Sequence, residues 1–147
     1  MKAMKLIMIF VLGGFIAACT TTEKKPAQPA KKHDVSVPAQ STVYFGFDKS
    51  DIEAGAREII TGHSSYLSAH PGKHVRLEGH CDERGSREYN IGLGERRAQA
   101  VRRLMLFQGV ADNQMETHSY GEERPAVRGH NEAAWAKNRR VEIVYKN

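Results

Sequence analysis

From Val43 onward, apolar and polar positions switch between a two-residue and a roughly three-and-a-half-residue rhythm, as strands and helices do in turn. Val43-Tyr44-Phe45-Gly46-Phe47 is β-branched and aromatic and predicts a first strand. Ile52, Ala56, Ile59, Ile60, Ser64 and Leu67 then recur at helical spacing, predicting a helix over Asp51 to Ala69 with Ser50 or Asp51 as N-cap and Pro71-Gly72 as its stop. Val75 to Glu78 is a second strand. Ser86 caps a helix reaching about Gln108, with Ala98, Val101, Leu104 and Met105 as its apolar stripe and Gly109 at its end. Gly92 and Gly94 weaken that helix by about 1 kcal/mol each relative to alanine, so a kink or a close contact is expected there. Met115 to Tyr120 and Val141 to Tyr145 are the third and fourth strands, with a short helix, Glu132 to Asn138, between them. The order βαβαβ(α)β within about 105 residues predicts an α+β fold, helices packed on a mixed four-stranded sheet, and excludes a doubly wound nucleotide fold. No internal repeat is visible.

The chain before Val43 is of a different kind. Lys2 and Lys5 precede 13 apolar or small residues, Leu6 to Ala18. That is too short for a membrane span, which needs about 20, and reads as a secretory signal. The run closes with Ile16-Ala17-Ala18-Cys19, which resembles a bacterial lipobox with Ile16 where leucine is commonest. Cys19 is therefore the expected lipidation site, and acylation would make membrane attachment effectively permanent. Thr20 stands where an aspartate would favour inner-membrane retention, so the resemblance implies outer-membrane sorting. Thr20 to Gln40 holds almost nothing to bury and is expected to be a disordered tether. About 20 such residues span roughly 25 Å on average and roughly 65 Å when pulled straight. The predicted organisation is a lipoprotein signal over 1–18, a lipidated Pro/Lys-rich tether over 19–40 and a folded domain over 41–147.

Charge and cysteine content narrow the function classes. The net charge is +5, and losing Lys2 and Lys5 with the signal leaves +3. For an exported chain that excess is weak evidence for a nucleic-acid partner. There are two cysteines, and with Cys19 acylated Cys81 has no partner, which excludes a disulfide framework.

The candidate chemistry centres on Gly79-His80-Cys81-Asp82-Glu83-Arg84-Gly85-Ser86 and the helix behind it. Asp82 lies in a glycine-bounded loop and Arg97 follows fifteen residues later on that helix. Two opposite charges on rigid backbone suit a ligand carrying both signs; a structural pair bracing the turn is the other reading. An enzyme is the rival class, since His80, Cys81, Asp82 and Glu83 are nucleophilic or metal-capable types. Consecutive residues at a strand end point alternately to opposite faces, however, so they cannot converge on one ion. No Cys-x-x-Cys is present, and no third group orients a Cys81–His80 pair. No catalytic residue, metal or cofactor is expected.

Phe45-Gly46-Phe47-Asp48, the run Gly79 to Asn90, Leu93-Gly94-Glu95-Arg96-Arg97-Ala98, Ser119-Tyr120-Gly121-Glu122 with Pro125, and Asn138-Arg139-Arg140-Val141-Glu142-Ile143 are similar, in this order, to the OmpA-like peptidoglycan-binding domain. The likeness runs from about Thr42 to the C-terminus. It departs at Cys81, where threonine or alanine is usual. The resemblance implies an OmpA-like sandwich that binds diaminopimelate, the stem-peptide residue of peptidoglycan whose free end carries an ammonium and a carboxylate on one carbon. Asp82 would accept from the ammonium, and Arg97 would grip the carboxylate through its planar fork. Asn90, Leu93 and Arg97, at i, i+3 and i+7, share a helical face; Asn90 would give an amide contact and Leu93 an apolar wall. Gly85 would leave room for close backbone approach, with Phe47 and Asp48 across the pocket. Arg139 reaches the same cleft or pairs at the strand end. For lipid-anchored members the resemblance implies a periplasmic propeller partner, TolB. The remaining alternatives are a module serving mainly TolB and a metal-dependent cell-wall hydrolase.

Overall fold

The computed structural model describes residues 36–146. The predicted signal, the lipidation site Cys19 and most of the predicted tether lie outside that range. The elements are β1 (Thr42–Tyr44), α1 (Ala54–Ala69), β2 (Val75–His80), α2 (Arg87–Phe107), a short 3-10 turn (Asp112–Gln114), β3 (Met115–Gly121), α3 (Glu132–Asn138) and β4 (Arg140–Tyr145). The four strands form one sheet in the order β1-β4-β2-β3, with β2 and β3 parallel and β4 antiparallel to both its neighbours. The last strand thus enters between the first two, and the fold is α+β as the periodicity predicts.

The alternation within the strands sorts the sheet into two faces. Val43, Val75, Leu77, Met115, Val141 and Ile143 join Ala56, Ile60 and Leu67 of α1 and Ala98, Val101 and Met105 of α2 in one buried cluster. Both long helices therefore lie on the same side. At the far end of the core, Gln114 donates from one side-chain amide to the carbonyls of Leu67, His70 and Lys73, closing the C-terminus of α1. His63 is fully buried on α1, with its ring nitrogens against the Tyr145 hydroxyl and the Gln40 carbonyl, both at 2.9 Å.

β2 runs on to His80, two residues past its expected end at Glu78, and two further boundaries differ from the sequence reading for one reason. β1 ends at Tyr44 rather than Phe47, and α1 begins at Ala54 with Glu53 flanking it, so neither Ser50 nor Asp51 is the N-cap. The carbonyls of Gly46 and Lys49, in the intervening turn, both accept hydrogen bonds from Arg97 of α2, at 3.0 and 2.8 Å. A contact about fifty residues away in the sequence holds this stretch out of strand and helix alike.

Candidate functional site

The site is assembled where β2 runs into α2. Register shifts between Gly79 and His80 in the β2–β3 pairing, a bulge that re-aims the chain as it leaves the sheet. The loop then turns through Gly85 at φ +110°, a conformation that favours glycine, and Ser86 caps α2 by accepting from the Tyr89 N–H at 3.2 Å. The expected close contact at Gly94 is real. A Cβ on Gly79 would lie 2.0 Å from the Gly94 carbonyl oxygen, and one on Gly94 2.3 Å from Ser119 Oγ. The bare backbones let the first half of α2 sit directly on β2 and β3, which brings its Asn90–Leu93–Arg97 face to the loop carrying Asp82.

These elements enclose a cavity of about 180 Å³ lined by Asp82 and Arg97, by Asn90 and Leu93 from α2, by Gly85 and Arg84 from the loop, and by Phe47 and Asp48 from across it. Tyr89 and Cys81 complete the lining. Seven of the eight predicted binding residues therefore share one cavity. Arg139 is the exception. It is buried behind Asp82, donating to the Phe45 carbonyl at 3.1 Å, to Asp82 Oδ2 at 3.3 Å and to Glu132 at 2.6 Å, so it braces the acid from outside the cavity.

Asp82 is 4 % exposed. Burial pushes its carboxyl up, but hydrogen bonds from the Arg84 side chain and backbone and from Arg139 outweigh that and hold it below the ordinary carboxylate range. Arg84 supplies a two-pronged contact, Nε to Oδ1 at 3.1 Å and a terminal nitrogen to Oδ2 at 2.7 Å. Its guanidinium lies between the rings of Phe47 and Trp135, 4.0 and 4.1 Å from their centroids. Sequence reading missed Arg84 and Trp135; only the pairing of acid with cation two residues on hinted at the first.

Arg97 is fully buried, and its geometry corrects the expected two-pronged grip on a ligand. Nε donates to the Lys49 carbonyl, one terminal nitrogen to the His80 carbonyl at 2.8 Å and to Cys81 Sγ at 3.4 Å, and the other to the Gly46 carbonyl. Of the five N–H groups of a guanidinium, one on the last nitrogen is left without a partner among the described residues. Burial lowers the pKa of Arg97, with Cys81 and Asp82 opposing, and the group stays a cation. Asn90, likewise, spends its amide nitrogen on the carbonyls of Asp82 and Arg84, both at 3.2 Å, and on Glu122 at 2.5 Å. Its first task is to shape the loop. Asp48, at φ +54°, accepts from the Tyr89 hydroxyl, which closes the rim between the turn and α2.

Cys81 is buried, donates from its thiol to the Asn90 carbonyl at 3.2 Å, and is pushed up to about 11 by burial, with Arg97 pulling the other way. Such a thiol is protonated at neutral pH and no nucleophile. His80 points to the helix-free face of the sheet and stacks on Tyr120, their centroids 5.4 Å apart. There one of its ring nitrogens comes within 4.8 Å of carboxylate oxygens of Glu78 and Glu142, a juxtaposition that sequence reading did not find. Those are metal-capable types, but Arg76 and Arg140 pair the two glutamates at 2.5 and 2.6 Å, and Arg140 and Arg124 face the imidazole with positive charge. The cluster is neutralised by protein cations and lies away from the cavity.

Residues 44–139 match the OmpA family. The chain is 43% identical to a peptidoglycan-associated lipoprotein of Pasteurella multocida over 98% of its own length and 99% of the relative's. It is 52% identical to that of Haemophilus influenzae over 71% of this chain and 69% of the other. Among solved structures, the peptidoglycan-associated lipoprotein from Burkholderia pseudomallei superposes with a TM-score of 0.73 at 45% identity, covering 74% of this chain and 92% of that one. The C-terminal domain of Helicobacter pylori MotB, at 23% identity and a TM-score of 0.68 over 74% of this chain and 85% of its own, shares the fold.

Proposed function

The chain belongs to the OmpA family, in the company of the peptidoglycan-associated lipoproteins, and from that premise we propose that it is an outer-membrane lipoprotein binding peptidoglycan non-covalently through the cavity between Asp82 and Arg97. Its ligand is the diaminopimelate end of a stem peptide. Asp82, held ionised by its arginine neighbours, accepts from the ligand ammonium. Arg97 meets the carboxylate with its one uncommitted N–H and its charge, the rest of the guanidinium being spent on backbone that shapes the cavity. Leu93 and Phe47 give apolar walls, and Gly85 and Asp48 hold the turns that leave the mouth open. Anchored through Cys19 on a tether over 19–40, the domain over 41–147 faces the periplasm and ties the outer membrane to the wall.

The observation that carries this reading is a buried, ionised carboxylate and a buried guanidinium lining one cavity. A binding module fits them better than an enzyme, since Cys81 is a high-pKa buried thiol and His80 faces the other side of the sheet. Calorimetric titration with a diaminopimelate tripeptide tests it. Asp82→Ala and Arg97→Ala are each expected to weaken binding by about 2 to 5 kcal/mol, enough to abolish a micromolar site. Undiminished binding in both variants overturns the assignment.

The same rim is proposed to meet TolB, within the Tol-Pal system that draws the outer membrane inward at division. Phe47 and Tyr89 are exposed apolar rings at the cavity mouth, the kind of anchor a protein partner uses. Saturating the cavity with diaminopimelate peptide should therefore weaken TolB binding; equal affinity with and without peptide rules out a shared surface.

A further inference from the structure

We propose that Arg84 is a built-in competitor for the ammonium seat on Asp82, and that it sets the preference of the cavity for a ligand end carrying both an ammonium and a carboxylate over one carrying an ammonium alone. The inference rests on the diaminopimelate reading above and deepens it.

Both oxygens of Asp82 are already engaged. Arg84 takes Oδ1 through Nε and its own backbone N–H, and Oδ2 through a terminal nitrogen at 2.7 Å, while Arg139 reaches Oδ2 only at 3.3 Å. An ammonium entering the cavity must displace the shorter and more exposed of these side-chain contacts. That is Arg84, whose side chain is 31 % exposed against 8 % for Arg139. Arg139 is tied as well to the Phe45 carbonyl and to Glu132, and cannot leave without opening the strand end. Arg84 has a prepared alternative: stacked between Phe47 and Trp135 it can slide along two aromatic faces without losing both, and Glu132 lies 3.6 Å away.

The incoming carboxylate closes the cycle. It offers about four acceptor sites, and Arg97 has one free N–H to meet them. Arg84 lines the same cavity and is the cation that its own displacement releases. A zwitterionic end therefore exchanges partners, its ammonium taking Asp82 and its carboxylate taking Arg84. An end with an ammonium alone breaks the Arg84–Asp82 pair and returns nothing to Arg84. A lysine in the third stem position is such an end.

Trp135 is the one tryptophan in the chain, and its ring lies under Arg84, so its emission reports the exchange. The full-length chain in detergent is titrated with two tripeptides identical except for diaminopimelate or lysine at the third position. The wild type should prefer the diaminopimelate peptide, and its saturation should shift Trp135 emission toward that of ligand-free Arg84→Ala. In Arg84→Ala the lysine peptide should bind more tightly than to wild type, and the ratio of the two affinities should shrink by about tenfold. An unchanged ratio overturns the proposal, as does joint loss of both ligands, because removing a competitor cannot abolish the weaker one's binding. A wild-type emission that saturation leaves unmoved overturns it too. Asp82→Asn separates the failures: if that variant still binds the diaminopimelate peptide undiminished, the site assignment itself falls, and if it does not, an unchanged ratio condemns only the role of Arg84.

Discussion

His80 is 2 % exposed, and both its ring nitrogens lack a hydrogen-bond partner among the described residues. Burial, with Arg140 and Arg124 adding positive charge, pushes it down from 6.5 to about 4, although Glu142 pulls upward. A histidine whose folded pKa lies below its unfolded value binds its proton less readily when folded. Its contribution to stability is full above about pH 6.5 and is lost as pH falls toward 4. Urea unfolding at pH 7 and pH 5 should therefore show a loss of stability in the wild type, and His80→Phe, which keeps the stacking on Tyr120, should show a smaller one. Buried His63, also lowered by burial, leaves part of the slope in place. Asp82 runs in the same direction at lower pH: its depressed pKa gives stability that is complete above the ordinary range near 3.8 and disappears below it. At this scale the residue types that line the cavity were legible. Asp82 and Arg97 were readable from their motif, yet the occupancy of Arg97 was not, because its acceptors at Gly46 and Lys49 come from a turn that no local pattern connects to it.

At the scale of elements, the join between α2 and the sheet decides whether the cavity exists. Gly79→Ala would drive a methyl to within 2.0 Å of the Gly94 carbonyl oxygen, backbone against backbone, and is expected to cost at least about 3 kcal/mol, the upper end for overpacking. Gly55→Ala is the control. Nothing lies within 4 Å of a Cβ added at Gly55, which is exposed near the start of α1, and removing the glycine there should stabilise by about 0.5 kcal/mol. The midpoint of denaturant unfolding checks both. Helical spacing and the Ser86 cap located α2, and the cost of glycine inside a helix correctly pointed to a close contact. The start of α1 was misplaced because capping residues such as Ser50 and Asp51 signal a helix only when the chain before them is free to enter one, and Arg97 holds that chain elsewhere.

For the whole molecule, the two faces of the sheet are unlike. One carries both long helices and the apolar core; the other shows Arg76–Glu78, Arg140–Glu142 and Lys146–Glu116 ion pairs with His80 and Tyr120 among them. No helix among the described residues is long and apolar enough to cross a membrane; the attachment proposed above is the lipid on Cys19. Cys19→Ser should release the chain from the membrane fraction while leaving its retention by isolated peptidoglycan unchanged, as fractionation and sedimentation would show. Loss of peptidoglycan retention in that variant would mean that the domain does not bind by itself.

The amino-acid order alone settled the kinds of element, their sequence, the buried stripe of Ala98, Val101 and Met105 on α2, and the family, because strand alternation, helical spacing and glycine-bounded turns are local rules that a single segment can express. The insertion of β4 between β1 and β2, the position of Arg139 behind Asp82, and the clamp of Arg84 between Phe47 and Trp135 were decided only in three dimensions. Each joins residues from distant segments, and a charge on a flexible stem takes its partner from whatever the fold brings near, which no local pattern encodes.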